Sequence, residues 1–559
     1  AIEPFGGANT GVGGVIRDVL GVSARPIAAT DVLCFGPMNI PIASLPEGVL
    51  HPRRVQSGVV AGVQEAAIRG VAVCSNGAIL YDPGYTSNPL VFCGCVGLAP
   101  KNRHPREPQP GDRVIVLGGR TGRDGLRGAT FSSMTMDGQT GKVAGASVQI
   151  GDPITEKGLL EVIIRARDAG LYDAITDCGA GGLASAVGEM ADPAGAEVDL
   201  AAVRLKYPGL APWEIWLSEA QERMVLAVPP RQLGALQALC AIFDVELTDI
   251  GAFTKTGQLK VAYNGAPVLE LANNFLHGGR PQRHLMAQIP NIAADKPLDS
   301  AQTAPLLAQA GPLLLRLLAH PDIASKAAVI RVYDHEVLGG TIIKPLTGAA
   351  DDGPSDAAVL RPIGTQGPRG IVLSNGINPQ MGKVDPYRMA LSVVDEAVRN
   401  AVAAGADPAH IGLLDNFCWG DPNRPETLGG LVEAARGCHD AALHYGAPFI
   451  SGKDSLNNEY LGADGARHAI PPTLLISAIG LIEDVGRAVS MDFKEAGNAV
   501  YLLGETRPEF GGSHLGMVAG EAGSGLAGSA APGRPKQAPE LYRALHRAMQ
   551  AGLVRACHD

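Results

Sequence analysis

Carboxylates placed beside glycines carry the strongest chemical signal in this chain. Asp18 follows Gly13-Gly14, Asp31 and Asp415 close apolar runs read as strands, and Asp177 lies in Thr176-Asp177-Cys178-Gly179-Ala180-Gly181-Gly182. A carboxylate that faces a glycine turn can reach a hard cation, and Mg²⁺ uses one or two such oxygens while phosphates complete its shell. For any one Asp the plainer alternative is a cap on a helix or turn. Recurrence at matching positions favours a site. Gly118-Gly119-Arg120-Thr121-Gly122-Arg123-Asp124-Gly125 offers backbone N–H groups and guanidinium to a phosphate.

Other chemistries are excluded by missing patterns. No G-x-x-x-x-G-K-[ST], H-E-x-x-H or G-x-S-x-G occurs, which removes the P-loop, zinc-protease and α/β-hydrolase readings. Gly523 to Gly528 matches G-x-G-x-x-G but sits among Ala, Ser and Pro, so it reads as a flexible loop.

The elements that must position these residues are mixed. Gly14 to Leu20, Ser57 to Arg69 and Glu156 to Ala169 read as helices; Pro26 to Phe35, Leu90 to Leu98, Gly111 to Leu117 and Val225 to Val228 read as strands. This is an α+β (mixed α/β) pattern, neither a bundle nor a sandwich. Ile289 to Gly311 lacks periodicity and suits a linker. The pattern also repeats. Arg17-Asp18-Val19-Leu20 through Pro26 to Asp31-x-x-Cys34-x-Gly36 is matched by Arg399-Asn400-Ala401-Val402 through Pro408 to Asp415-x-x-Cys418-x-Gly420. Gly111-x-x-Val114-x-x-Leu117-Gly118 is matched by Gly497-x-x-Val500-x-x-Leu503-Gly504, and Ala169-Gly170-Leu171 with Asp177 by Ala551-Gly552-Leu553 with Asp559. The order and a nearly constant offset predict a tandem duplication of a large unit.

Composition sets the frame. The 559 residues carry a net charge of -10, which argues against nucleic acid and favours a small-molecule substrate. With 46% hydrophobic and 18% charged residues the chain folds, and the length suggests three or four domains. Nine Cys without a C-x-x-C suggest a reducing, cytoplasmic setting, and no apolar run approaches the roughly 20 residues a membrane span needs.

Several long motifs together resemble one family. Ala1-Ile2-Glu3-Pro4-Phe5 leading to Gly11-Val12-Gly13-Gly14-Val15-Ile16-Arg17-Asp18, then Val148 to Pro153, Thr176 to Leu183, Leu217-Ser218-Glu219-Ala220-Gln221-Glu222-Arg223-Met224, Asp415 to Gly420, Ser451 to Leu456 and Gly504 to Phe510 are similar to the synthetase subunit of phosphoribosylformylglycinamidine synthase, of purine biosynthesis. The resemblance implies two A-plus-B units of the aminoimidazole ribonucleotide synthetase-like superfamily. The expected boundaries are a first A domain at 1–104, a first B domain at 105–296, a linker at 297–312, a second A domain at 313–486 and an incomplete second B domain at 487–559.

The resemblance also implies an ATP-dependent ligase that joins glutamine-derived ammonia to formylglycinamide ribonucleotide, with Mg²⁺ as cofactor. Its partners would be a glutaminase subunit or domain and a small bridging subunit, with no nucleic acid and no membrane. By motif, Asp18 and Asp177 take the metal positions. Arg17, Gln149, Glu219, Ala220, Gln221 and Ser455 take the ribonucleotide positions, and Asp31, Asp415 and Gly452 the nucleotide positions. Ala220 stands where one branch has Ser, and Gly452-Lys453-Asp454-Ser455 where it has Gly-Asn-Val-Ser; Lys453 cannot ligate a metal. The family's catalytic His falls before Ala1 and Asp559 ends the second repeat early, so an internal fragment that is inactive alone is expected. The alternatives are another synthetase of the same superfamily, or a nucleotide-binding scaffold for a glutaminase.

Overall fold

Pro4 presets the backbone for a first helical turn, and helix α1 runs Pro4–Gly21. Ala8, Val12, Ile16 and Leu20, four residues apart, form its buried stripe. This helix begins ten residues earlier than Gly14, where periodicity alone places it, because the glycines at 6, 7, 11, 13 and 14 dilute the apolar signal. Asp18 therefore lies in the last turn of a long helix. Helix α2 (Pro52–Ala67) packs on α1 through Val55, Val59 and Val63. Gly62 makes that contact possible, since a Cβ there would stand 2.4 Å from the Phe5 carbonyl oxygen.

The computed structural model describes all residues except 1, 68–72, 127, 129–133, 142–147, 150, 293–299, 464, 521–525 and 527–535. The G-x-G-x-x-G stretch at 523–528 thus falls almost wholly outside the described residues. Strands β1 (Arg25–Phe35), β2 (Val73–Tyr81) and β3 (Leu90–Leu98) form a sheet ordered β2-β1-β3, with β2 parallel and β3 antiparallel to β1.

The next unit holds seven strands, β4 (Arg113–Gly118), β5 (Ala174–Asp177), β6 (Ala196–Asp199), β7 (Arg223–Val228), β8 (Leu247–Phe253), β9 (Gln258–Tyr263) and β10 (Ala266–Ala272). Their order is β10-β9-β6-β8-β4-β7-β5. In β4, Ile115 and Leu117 face a core shared with α1, α2 and helix α3 (Pro153–Ala169), while Val114 and Val116 face a second core under the helix Leu183–Met190. Burial on both faces explains why this strand reads as a continuous apolar run. The expected linker is partly helical: Ser300–Ala308 and Ala310–Leu318 are helices, the first with Pro305 inside it.

Farther on, β11 (Thr341–Ile343), β14 (Ala358–Leu360), β15 (Gly370–Ile377), β16 (Ile411–Cys418), β17 (Phe449–Ser455) and β20 (Thr473–Ile482) make a sheet ordered β11-β14-β15-β20-β16-β17. Two small hairpins, β12 (Leu346–Thr347) with β13 (Gly353–Pro354) and β18 (Glu459–Leu461) with β19 (Arg467–Ala469), flank it. Here β17 is parallel and β20 antiparallel to β16, the relation that β2 and β3 hold to β1. Helix α4 (Pro386–Ala403) precedes β16 as α1 precedes β1, and helix α5 (Pro425–Tyr445) follows as α2 does. The two sheets pack against each other. Val32, Cys34, Tyr85 and Phe92 share a core with Cys418, Ile470 and Leu475, and the Asn76 amide donates to the Leu373 carbonyl at 2.6 Å.

Two expectations need correction here. Asp31 and Asp415 lie inside β1 and β16 with four and three strand residues beyond them, because Cys34-Phe35 and Phe417-Cys418 continue the pairing. Val500 to Leu503, the repeat counterpart of β4, is not a strand and is exposed. β4 is held between β7 and β8, whereas no strand among the described residues pairs with 500–503. The long helix farther on, α6 (Ala538–Gln550), matches α3 and docks on the second core through Tyr542.

Candidate functional site

Where α1 ends against β5, the structure brings the first group of residues together. Buried Arg17 donates from Nε to Asp177 Oδ2 at 2.8 Å, from Nη1 to the Gln221 carbonyl at 3.3 Å and from Nη2 to Asp18 Oδ1 at 3.5 Å. Burial opposes the Arg17 charge, but Asp177 and then Asp18 overcome it and raise its pKa. Asp177 is the last residue of β5, so its side chain emerges where the strand gives way to the glycine turn.

Asp18 is the exposed member. Its side chain is 62% exposed, and partial loss of solvent followed by the like charge of Asp177 pushes its pKa up to about 6. An acid near a helix C-terminus also meets the unfavourable end of the helix dipole. Two carboxylates that repel one another at an open rim fit a hard cation, which would relieve that repulsion. Arg17 occupies Oδ2 of Asp177.

A second wall comes from residues 217–223. The Gln149 amide donates to the Glu219 carbonyl, the Gly181 N–H donates to Glu219 Oε1 at 3.2 Å, and the Gln221 amide donates to the Thr10 carbonyl at 3.4 Å. The Ala220 N–H is engaged by Ser218 Oγ at 3.3 Å, so the hydroxyl missing at 220 has a neighbour that holds the backbone. Gly13 gives the Gln221 amide and Glu156 their room, since a Cβ there would lie 3.4 Å from each.

Three further residues carry no assignment from the sequence. Glu156 of α3 is buried beside Glu222, and desolvation followed by that like charge raises it well above the usual range. Glu222 accepts the Asp152 N–H at 2.6 Å, and desolvation pushes it up to about 6. Fully buried Arg223 braces the wall from beneath, donating to the carbonyls of Ala220 and Ser218 and to Thr121 Oγ1. Glu156 reads in sequence as an ordinary first-turn acid of a helix, which hides it.

The remaining candidates lie elsewhere. Asp31 sits within β1 opposite Gly77 and Cys93, where burial pushes it up to about 7 against the pull of Tyr333. Asp415 pairs with Gly452 across β16 and β17, where a Cβ on Gly452 would stand 2.6 Å from Asp415 Oδ1. Desolvation and then Asp454 raise the Asp415 pKa. Ser455 ends β17 and donates to Asn458 Oδ1 at 3.3 Å. That corner reaches the first half of the molecule, since Met136 exchanges backbone hydrogen bonds with Glu459 and Leu461 at 2.9 and 2.7 Å. Arg120 and Arg123 do not wait for a phosphate. They pair with Glu246 and Glu214 at 2.7 and 2.8 Å, carboxylates far away in sequence.

The second half holds a counterpart of the Arg17 cluster. Arg399 donates to Asp559 Oδ2 across the same 160-residue separation as Arg17 to Asp177. Asp395 on α4 also takes Arg399, together with the hydroxyls of Tyr445 and Tyr542.

Residues 109–264 match the family described as AIR synthase related protein, C-terminal domain, and residues 1–99 and 354–482 match its N-terminal domain. A phosphoribosylformylglycinamidine synthase subunit PurL of Thermoplasma acidophilum is 35% identical over 529 residues, covering 93% of this chain and 67% of the relative. The subunit of the same name from Anaeromyxobacter dehalogenans is 37% identical over 575 residues, covering 100% and 71%. Among solved structures, PurLQS of Thermotoga maritima aligns with TM-score 0.68 at 27% identity over 87% of this chain and 71% of that one. PurL of that organism complexed with FGAR aligns with TM-score 0.69 at 25% identity over 99% and 77%, and its complex with AMPPCP with TM-score 0.65 at 27% identity over 87% and 71%.

Proposed function

Since this chain belongs to the phosphoribosylformylglycinamidine synthase PurL-subunit family, a family of ligases, we propose that its Arg17–Asp18–Asp177 cluster is where ATP activates formylglycinamide ribonucleotide for amination. In the proposed reaction the substrate's amide oxygen attacks the γ-phosphorus of ATP and ADP departs. Ammonia then adds to the imino-phosphate carbon, the carbon–oxygen bond breaks, and phosphate and formylglycinamidine ribonucleotide leave. The observation that carries this reading is the exposed Asp18 carboxylate held against Asp177 by buried Arg17 at the meeting of α1 and β5.

Asp18 and Asp177 would hold Mg²⁺, which supplies charge neutralisation for the transferred phosphoryl group. Arg17, Gln149, Glu219, the Ala220 backbone and Gln221 would form a wall of fixed donors and acceptors for the ribonucleotide, and Ser455, at the end of β17, is assigned to the same substrate by its motif. Arg223 fixes that wall in place. Asp31, Asp415 and Gly452 are assigned to the nucleotide. The similar chain of Thermotoga maritima is part of the PurLQS assembly, and we assign this one a glutaminase and a small bridging subunit as partners that deliver ammonia. No helix among the described residues is long and apolar enough to cross a membrane, which suits the cytoplasmic setting we propose. The paired helices and strands of the two halves support tandem duplication as the origin of the fold.

The test separates metal from substrate. In the full-length protein supplied with free ammonia, Asp18→Asn and Asp177→Asn should abolish the magnesium dependence of nucleotide binding. Arg17→Lys and Gln149→Ala should weaken the ribonucleotide and spare ATP. Unchanged Mg²⁺-ATP titrations in both Asn variants would overturn the metal assignment, and equal loss of both ligands in the Arg17 and Gln149 variants would overturn the substrate assignment.

A further inference from the structure

Away from the site above, three side chains from distant parts of the chain converge. His320 follows the helix Ala310–Leu318, Asp322 lies two residues on, and His514 opens the short helix His514–Val518. One ring nitrogen of each His and one Asp322 carboxylate oxygen all lie within 4.8 Å of one another. His514 Nε2 stands 3.0 Å and His320 Nδ1 3.9 Å from the same Asp322 Oδ2. Ligands about 2.0–2.1 Å from a tetrahedral Zn²⁺ sit roughly 3.3 Å apart, which these two distances bracket.

The surroundings prepare the three as ligands. Asp322 Oδ1 accepts the Tyr81 N–H at 2.8 Å, which aims Oδ2 at the two rings. His320 Nδ1 accepts the Asp322 N–H at 3.2 Å, a bond that a metal ion would have to displace to reach this nitrogen. The two imidazoles meet edge to face with centroids 5.1 Å apart. Lys326, the nearby cation, spends its ammonium on the carbonyls of Ala324 and Asp322 at 2.6 and 3.2 Å. Side-chain exposures of 16% for His320, 7% for Asp322 and 31% for His514 leave the set partly enclosed and most open at His514. Below it, Leu313 and Ala519 pack the two short helices together.

We propose that His320, Asp322 and His514 form a binding site for a borderline divalent transition metal, Zn²⁺ by preference, that pins residues 514–518 and the loop after Leu318 to the end of β2. Two imidazoles and one carboxylate with an open position suit Zn²⁺ or its neighbours and do not suit Mg²⁺. This site is separate from the proposed magnesium position in residues and in ligand chemistry, and it does not rest on the proposed function.

Chelator-treated full-length protein titrated with Co²⁺ tests the proposal, because cobalt reports its ligands optically and the nine free Cys are competing ligands. One equivalent of Co²⁺ should bind with d–d absorption and no thiolate charge-transfer band, and Zn²⁺ should displace it. His514→Ala and His320→Ala should each weaken binding at least about tenfold. Zn²⁺ should raise the unfolding temperature of the parent protein and of neither variant. His514→Gln, at the most exposed of the three positions, guards against a folding defect. A thiolate band, no uptake by the parent, or equal affinity in the folded His514 variants would overturn the proposal; the last would leave His514 and Asp322 as a simple ion pair.

Discussion

The Arg17 and Arg399 clusters use one scaffold in opposite ways. Each arginine leaves the end of the helix before a central strand and meets an aspartate 160 residues later. In the first half Arg17 leaves Asp18 exposed. In the second half the offset that carries Arg17 to Arg399 carries Asp18 to Asn400, whose amide donates to the Asn375 carbonyl at 3.0 Å. The same offset carries Gly13 and Gly14 to Asp395 and Glu396. Where the first copy keeps space for Gln221 and Glu156, the second fills it with a carboxylate held by Arg399, Tyr445 and Tyr542. The same ion pair sits beside an exposed acid where its helix offers glycines, and is a buried brace where those positions carry carboxylates.

The sharpest way to break this comparison is Asp395→Ala. Removal leaves Arg399 with Asp559 alone and takes the acceptor from the Tyr445 and Tyr542 hydroxyls in the second core, a cost of about 1–3 kcal/mol. Asp18→Asn, at an exposed rim, should change stability by no more than about 0.5 kcal/mol. Urea unfolding of both variants decides it. Similar losses would mean that the first cluster is a brace as well.

Next in size is Gly13→Ala. The added methyl would stand 3.4 Å from the Gln221 amide and from Glu156, in close van der Waals contact with both, and would fill the space in which they move. We expect a loss of about tenfold in kcat/KM for the ribonucleotide, or ~1.4 kcal/mol, with nucleotide affinity kept. An unaltered kcat/KM would show that the space at Gly13 is incidental.

What the sequence reveals of these two clusters follows from where the information lies. Arg17 and Asp177 are legible because the repeat marks each twice, as Arg399 and Asp559, and Asp18 because it adjoins Arg17. The helices around Val59 and Ile163 are legible through their apolar periodicity. Glu156 and Glu222 are not, since their burial depends on one another and on α1, far away in the chain. Val500 to Leu503 carries the residues of a strand, and strand formation depends on partners that the segment itself cannot specify. The turn at Arg120 and Arg123 looks like an anion site because the carboxylates that take up its cations come from Glu214 and Glu246.

A smaller effect comes from Asn400→Asp, which installs the first copy's acid in the second. The new carboxylate cannot donate to the Asn375 carbonyl and would face it as a second acceptor, a cost of about 1 kcal/mol. With Asp395 and Glu396 filling the adjacent space, no second magnesium-dependent nucleotide site should appear in a binding titration. Its appearance would show that the missing acid alone separates the two copies.

The smallest effect is on pH dependence, and its sign runs against habit. Asp18 has a folded pKa near 6 against 3.8 for the free group, so the folded chain holds this proton more tightly than the unfolded one. Stability from this group is therefore full below pH 3.8 and declines as pH rises toward 6, whereas a cation needs the deprotonated form. Lowering pH from 7 to 5.5 should weaken magnesium-dependent nucleotide binding about fourfold, the protonation ratio expected for a pKa of 6. Asp18→Asn should remove that dependence. In the second copy burial pushes Glu396 up to about 8 against 4.5, so its stabilising proton is lost across a higher window, from 4.5 to 8. Glu396→Gln should flatten the stability profile in that window and leave the nucleotide profile alone. A Glu396→Gln variant that shifts magnesium-dependent binding would mean that the two copies communicate, and the division between open site and brace would fail.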